Sequence, residues 1–547
     1  MSNKSYKIKD LEDRFNGAYN NQYNNRADMT RYLDYYMTSV FYEPKKGEKF
    51  SRNQVPVNLM AIFADKNIHF SCGFPEINVP TIGADPVSRE KANLAEKLIQ
   101  SVFKQSLGDS MQKRFAQDGT LKSMAVAVTK FNFKTRQVSV RRYDPRYCFF
   151  TRSNKSDEAI SDLFIAFPVT AEEVFASYGL KPKGGSIDPF KYSDDGGIDP
   201  LDNQEWFMQV IALDDQVRCV WVGDTFVEPP HRHLMGGIPA DICIPLPDPR
   251  VSLKGDFFLR KLIPLQAEIN QAFKTRAGIV RKMGSPAIYV KGLYSRQLEE
   301  VLRALQGDGG LIGLKGQGEL GILAPPETTM IDNHIADLIV QMMRIAGYGS
   351  ASFGEATGAN TSGDAYGMLF APTTRSVDYQ NVSWRQFYAG ICSKILYCFE
   401  RFYGDNEPIK LESYRPLNTL LGNSGTENPA LDNLVAINNG SAVFTKSAIA
   451  GIRNVTIKMP NIQPVNQIAQ DRLTYEMMTT NTISRTTGFT RLRIESPEDE
   501  LRLLEVEMSN PALNPDGMSR LLKSVGNSNN GGLDVQQPDK RSQKVNT

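Results

Sequence analysis

The sequence predicts a mixed α+β chain in which helices predominate. Two patterns carry that expectation. Stretches at 86–118, 256–283, 331–347, 362–403 and 465–510 are helical in pattern, with apolar residues recurring at helical spacing in the clearest of them. In contrast, "SMAVAVTKFNF", "QVSVRRYDPRYCFF" and "FMQVIALDDQVRCVWVG" are short runs rich in Val and aromatics, as strands are. Length sets the scale: 547 residues exceed the usual domain several times over, so a sizeable core and at least two substructures are expected.

Taken in order, residues 1–60 open with the helical "RADMTRYLDYYMTSVFY" and an extended basic segment. "RNQVPVNLMAIFADKNIHF" then places Leu59, Ile62 and Phe63 on one helical face expected to be buried. One amphipathic helix is expected over 86–118, with Ala92, Leu94, Ala95, Leu98 and Ile99 inward. The β-rich region follows, and Asp214-Asp215 suits a hairpin turn within its last run. The Gly/Pro/Asp-rich stretch from 179 to 203 is a loop.

Residues 256–283 form the longest helical pattern, with Phe258, Leu262, Leu265, Ile269, Phe273 and Ile279 or Val280 recurring. At 1.5 Å per residue it spans about 42 Å. Pro264 should kink it or mark its true first turn. A compact αβ excursion comes next, and 331–347 returns as a second helix, as a stalk with a tip would. The helix from about 362 is expected to break at Pro372. Thr361 and Asp364 have the spacing of a capping box at its start. Residues 405–463 are mixed and include the strand-like "RNVTIKMP". "SPEDELRLLEVE" opens with Ser496 as cap and Pro497 at the first helical position. Beyond Asn510 the apolar content is too low to pack.

Composition excludes several classes of function. Lys and Arg total 63 against 61 acidic residues, so no global field draws the chain to nucleic acid or an anionic membrane, and any such contact must be local. Six scattered cysteines without a CxxC pair read as reduced, packed thiols. No segment of signal-peptide or membrane-spanning type is evident, so a soluble intracellular product is expected.

The segment "GYGSASFGEATGANTSGDAYGMLF", 347–370, invites comparison with phosphate-binding loops. It contains no lysine, and a helix rather than a strand precedes it, so neither the nucleotide-binding loop nor the dinucleotide fingerprint fits. No GxSxG elbow is present. His231 and His233 could begin a metal site, yet no further ligand lies nearby in sequence. No catalytic, cofactor-binding or metal residue is therefore assigned. Lys274, Arg276, Arg281 and Lys282 gather toward the end of the long helix. There they complement the helix dipole, and they are candidates to face DNA phosphates.

The order of β region, long helix, αβ tip, returning helix, Gly-rich loop, long broken helix and C-terminal helices resembles the portal protein, or head-to-tail connector, of tailed bacteriophages. "RNQVPVNLMAIFADKNIHFSCGFP", "RRYDPRYCFF", "LKGDFFLRKLIPLQAEINQAF", "GANTSGDAYGML" and "TISRTTGFTRLRIESPEDELRLLEVE" are similar to that family across roughly residues 50–510. The resemblance implies a ring, usually dodecameric, at one capsid vertex of the virion, assembled in a bacterial cytoplasm. It also implies a wing over 1–252 and 363–463, stem helices over 253–284 and 328–347, a clip over 285–327, a tunnel loop over 348–362 and a crown over 464–510. Residues 511–547 would be a disordered tail. Implied partners are double-stranded DNA bound without sequence preference, the terminase large subunit, a head-completion or adaptor protein, and the major capsid and scaffolding proteins. No membrane and no cofactor are implied.

Within the loop, Gly354, Glu355, Gly358, Asn360 and Ser362 are the candidate tunnel residues. Its only charges, Glu355 and Asp364, are negative, so a sleeve is expected rather than a grip on phosphate. Arg375, just past Pro372, is the alternative position. Another neck or head-completion protein, or an enzyme with an unrecognised nucleotide site, are the alternative functions.

Overall fold

The computed structural model describes residues 6–37, 57–81, 86–106, 108–153, 156–187, 205–251, 253–284, 287–291, 319–323, 327–354, 363–412, 435–438, 441–460 and 467–480, with single positions at 482, 488, 489 and 492. The chain divides into two compact units, Met1–Tyr414 with Pro429–Gln463, and Arg415–Asn428 with Pro464–Thr547. Helices and several sheets coexist, so the α+β class holds.

The first unit opens with α1 (Ile8–Tyr36) and α2 (Leu59–Ser71), the latter capped by Asn58 Oδ1 accepting from Ala61 N at 3.1 Å. The buried face of α2 is Met60, Phe63, Ala64, Asn67, Ile68 and Ser71. Ile62, expected inside, is 48% exposed, because the partners of α2 approach a face rotated from it. After β1 (Glu76–Asn78), the single helix expected over 86–118 is two, α3 (Pro86–Ser106) and α4 (Gly108–Leu121). Gly108 at φ +50° turns the chain between them, a conformation that interrupts a right-handed helix. The five inward residues expected of α3 are all buried.

The β region builds two sheets. The hairpin β2 (Ala125–Asn132) and β3 (Gln137–Tyr143) belongs to the smaller. The larger contains β4 (Cys148–Ser153), β5 (Ser156–Thr170), β6 (Ser186–Ile187), β7 (Trp206–Asp214), β8 (Val217–Val222) and β9 (Thr225–Arg232). Strand β10 (Ala240–Cys243) completes the smaller sheet in the order β10-β2-β3, and the larger runs β4-β5-β7-β8-β9 with β6 on β7. The β7–β8 hairpin turns as expected, with Asp214 Oδ1 accepting from Gln216 N at 2.9 Å and Val217 N at 2.7 Å. Helix α5 (Ala171–Tyr178) leaves β5 through a capping box of Thr170 and Glu173.

Helix α6 (Ile263–Gly284) carries Pro264 in its first turn, where a missing N–H costs nothing. A short 3-10 turn, Phe258–Lys261, precedes it. Strands β11 (Ala287–Lys291) and β12 (Glu319–Leu323) pair antiparallel and lead to α7 (Thr329–Ala346), which packs on α6. Helix α8 (Gly363–Phe402) spans 40 residues, about 60 Å. The break expected at Pro372 is absent, and the helix runs through it. Proline removes the hydrogen bond to the Met368 carbonyl, but Met368 and Pro372 are both exposed, so water can serve that oxygen. The opposite side is held by the fully buried Thr373 and Val377.

Strands β13 (Ile409–Glu412), β14 (Ala436–Asn438) and β15 (Ser441–Phe444) form a small sheet, and β16 (Thr456–Lys458) pairs with β1. One core joins α3, the small sheets and the second half of α8. A second joins α2, the inner faces of both β-region sheets, the start of α6 and the end of α7. Helix α1 covers the opposite face of the larger sheet, with Leu11 against Phe149, Phe164 and Trp221. The second unit is described mainly through α9 (Gln467–Thr479). Ser496, Pro497 and the tail from 511 lie outside the described residues, as do Thr361 and the side chain of Asp364.

Candidate functional site

The two candidate regions, the end of α6 and the Gly-rich segment after α7, are both anchored through side chains that sequence patterns do not single out. Gln266, fully buried on α6, accepts from Leu59 N at 3.0 Å and Met60 N at 3.2 Å, and donates to the Val57 carbonyl at 2.5 Å. Its amide also donates to Asn270 Oδ1 at 3.0 Å, and that oxygen accepts from Val57 N at 3.3 Å. One glutamine thus satisfies the open N-terminus of α2 while fixing α6 against it. The only sequence signal was a polar pair at 266 and 270 on an otherwise apolar face.

Along α6, residues advance by about 100° each. Lys274 and Arg281, seven apart, therefore share a face within about 20°, whereas Arg276 lies about 160° from Lys274. Lys274 and Arg281 are exposed. Arg276 Nε instead meets Asp332 Oδ1 of α7 at 2.7 Å, tying the two helices together. His334 Nε2 and Glu268 Oε1 stand 3.7 Å apart on the same pair. The basic group is thus split between two faces of α6, and Arg276 ties one of them to α7. Lys282 lies within the helix, but its side chain lies outside the described residues.

The Gly-rich segment begins as a packed corner. Gly347 ends α7 at φ +77°, where a Cβ would come within 2.9 Å of Ser376 Oγ. Gly349 N donates to Thr373 Oγ1 at 3.1 Å, and a Cβ at Gly349 would collide with the Leu369 carbonyl. A 3-10 turn over Ser350–Phe353 follows, with Ser352 Oγ 2.5 Å from Thr373 Oγ1. Tyr348 is buried, its ring 6.1 Å from Phe63 and 6.2 Å from Phe353, and burial pushes its phenol pKa far up. Its hydroxyl donates to Asn67 Oδ1 at 3.0 Å. Asn67 Nδ2 in turn donates to Thr120 Oγ1 at 2.9 Å, and Gln380 Nε2 donates to Asn67 Oδ1 at 3.0 Å. This node joins α2, α4, α8 and the segment.

The segment expected as a tunnel loop, 348–362, thus begins as a packed corner over 348–353. The small residues there permit close approach of α8, and Tyr348 and Phe353 supply the apolar contacts. Gly354 is exposed at φ +78° with open space around it. Glu355, Gly358, Asn360 and Ser362 lie outside the described residues. Arg375 is exposed on α8.

The motif "RRYDPRYCFF" resolves into an ionic cluster. Asp118 receives Arg142 Nε at 2.5 Å and stands 3.0 Å from Lys122 Nζ, and Lys122 reaches Asp144 at 2.6 Å. Asp144 also caps Arg146 N at 3.0 Å. Burial alone would raise the Asp144 pKa, but Lys122 and Arg146 outweigh it and hold the group at about 2. The cluster locks α4 to β3 and to the turn before β4.

His233 Nε2 contacts the Asp214 carbonyl at 2.9 Å, and burial lowers its pKa. Among the described residues, no cluster of side chains could hold a metal ion, and no helix is long and apolar enough to cross a membrane. The thiols Cys148, Cys219, Cys243, Cys392 and Cys398 are buried and free. No protein-family model matches this chain, and no curated protein sequence matches it.

Proposed function

We propose that this chain is a portal protein of a tailed bacteriophage, the subunit of a ring-shaped channel through which DNA enters and leaves the capsid. The observation that carries the reading is the helix pair α6 and α7. The chain leaves along α6, passes through the antiparallel β11–β12 pair, and returns along α7, whose end meets the turn that starts α6. This path suits a stem with a tip. Gln266 bolts it to α2, and the Gly-rich segment and α8 follow directly after it.

In this reading the exposed Lys274 and Arg281 present positive charge along the stem. Symmetry multiplies a modest cluster into a sequence-independent field for DNA phosphates. Arg276 has a different role, holding the stem helices in register through Asp332. The packed corner at 348–353 would be the root of the tunnel loop, and Gly354 its first free position. Terminase would dock on the clip and adaptor proteins would attach to the ring, while nucleotide hydrolysis would belong to the terminase.

Apolar side chains left exposed on α7 and α8, among them Val340, Ile345, Met368, Tyr379 and Val382, suit burial against neighbouring subunits. Native mass spectrometry and negative-stain microscopy of the purified chain test the proposal. A closed ring without ATPase activity is expected, and a stable monomer at micromolar concentration would overturn it.

A further inference from the structure

Between the two sheets of the β region lies a cleft of about 510 Å³ that the portal reading does not use. Its position follows from strand register. Val128 faces Arg141 and Lys130 faces Ser139 across the β2–β3 ladder, so Lys130 and Arg141 emerge on one face of the smaller sheet. Leu213 faces Arg218 across β7–β8, which puts Arg218 on the face of the larger sheet that looks toward them. Apolar side chains such as Ile165, Ile211 and Leu213 line the cleft together with charged ones.

The lining is strongly one-signed. Lys130, Lys134, Arg141, Arg218 and Arg232 contribute positive charge, and among the described residues that line the cleft Glu228 is the one carboxylate. Glu228 is already engaged by Arg218. Partial burial, then the charges of Arg218 and Arg141, depress the Lys130 pKa, which marks repulsion between cations. Like charges held together at the mouth of a low-dielectric cleft raise the energy of the folded chain unless an anion neutralises them.

We propose that this cleft binds a small phosphate-bearing molecule, held by Lys130 and Arg141, with Arg218 fixed beside them by Glu228. Guanidinium groups grip phosphate oxygens in pairs, and the ammonium of Lys130 adds a point charge. The volume falls within the range of small-molecule sites and is too small to admit a nucleic-acid duplex. Phe133, 60% exposed and edge-on to Phe131 at 4.9 Å, stands beside the cations as a flat surface on which a planar group could stack.

Titration calorimetry of the assembled protein at low salt, with inorganic pyrophosphate and with ATP as separate probes, tests the proposal. Saturable binding of one probe molecule per chain is expected, weakened at least tenfold in a Lys130→Met/Arg141→Gln variant. Both side chains are exposed, so the variant should keep the wild-type melting temperature. Tighter binding of ATP than of pyrophosphate, lost in Phe133→Ala, would assign the planar group. Three outcomes overturn the proposal: no saturable binding of either probe at millimolar concentration, equal binding by the double variant, or binding of duplex DNA alone. None of these bears on whether the chain forms a ring.

Discussion

Replacing Asp144 by Asn should expose how strongly the ionic cluster holds the β region. Asparagine keeps the oxygen that caps Arg146 N, so the substitution removes charge and little else. The Asp144 pKa falls from 3.8 to about 2 on folding, and at about 1.36 kcal/mol per unit the shift amounts to about 2 kcal/mol at neutral pH. Because the folded value is depressed, that stability is present above the unfolded value and is lost as pH falls through the folded one. Urea unfolding followed by tryptophan fluorescence should therefore give a gap between wild type and Asp144→Asn that narrows by about 1 kcal/mol from pH 7 to pH 3. A gap independent of pH would refute the argument, since it would mean that Lys122 and Arg146 do not stabilise the ionised carboxylate.

Gln266→Leu should destabilise the chain by about 3 kcal/mol, because Leu59 N, Met60 N and the Val57 carbonyl lose their partner together; chemical denaturation checks this. Neutralising Lys274 and Arg281 should reduce DNA retention in packaging assays in a salt-dependent manner with rings intact, whereas Arg276→Gln with Asp332→Asn should change stability by less than about 1 kcal/mol. Gly354→Trp should impede DNA passage and also cost about 1 kcal/mol, because its φ of +78° disfavours a side chain. Gly354→Asn, a residue that tolerates that conformation, should fill capsids at the wild-type rate.

Local chemistry made parts of this architecture legible. The aspartate at 214 turns its hairpin through hydrogen bonds two and three residues away, and the apolar positions of α3 follow one helical face, so short windows contain both answers. Strand β5 is different. Its first half, "SDEAISD", reads as a polar loop, and pairing with β4, joined by β7 only from Asp162 onward, makes it a strand. The burial of Gln266 likewise depends on partners about 200 residues distant. In the Gly-rich segment, small residues line a packed corner. Their function at Gly347 and Gly349 is close approach of backbone to α8, which only the neighbouring element explains. The same limit applied at Pro372, where exposure rather than residue type decided whether the helix could continue.

The covering of the larger sheet by α1 has a consequence for biosynthesis. Tyr6 donates to Asp214 Oδ2 at 2.8 Å across a separation of 208 residues, and Leu11 is buried against Trp221. At about 5–20 residues per second, the ribosome delivers that partner surface roughly 10–40 s after the helix has emerged. Until then α1 rests only on the earlier-made α2, α4 and β4, and the part of its apolar stripe that meets Trp221 stays uncovered. Closure of α1 thus waits on non-local strand pairing, and the nascent chain offers chaperones a target until the larger sheet is complete.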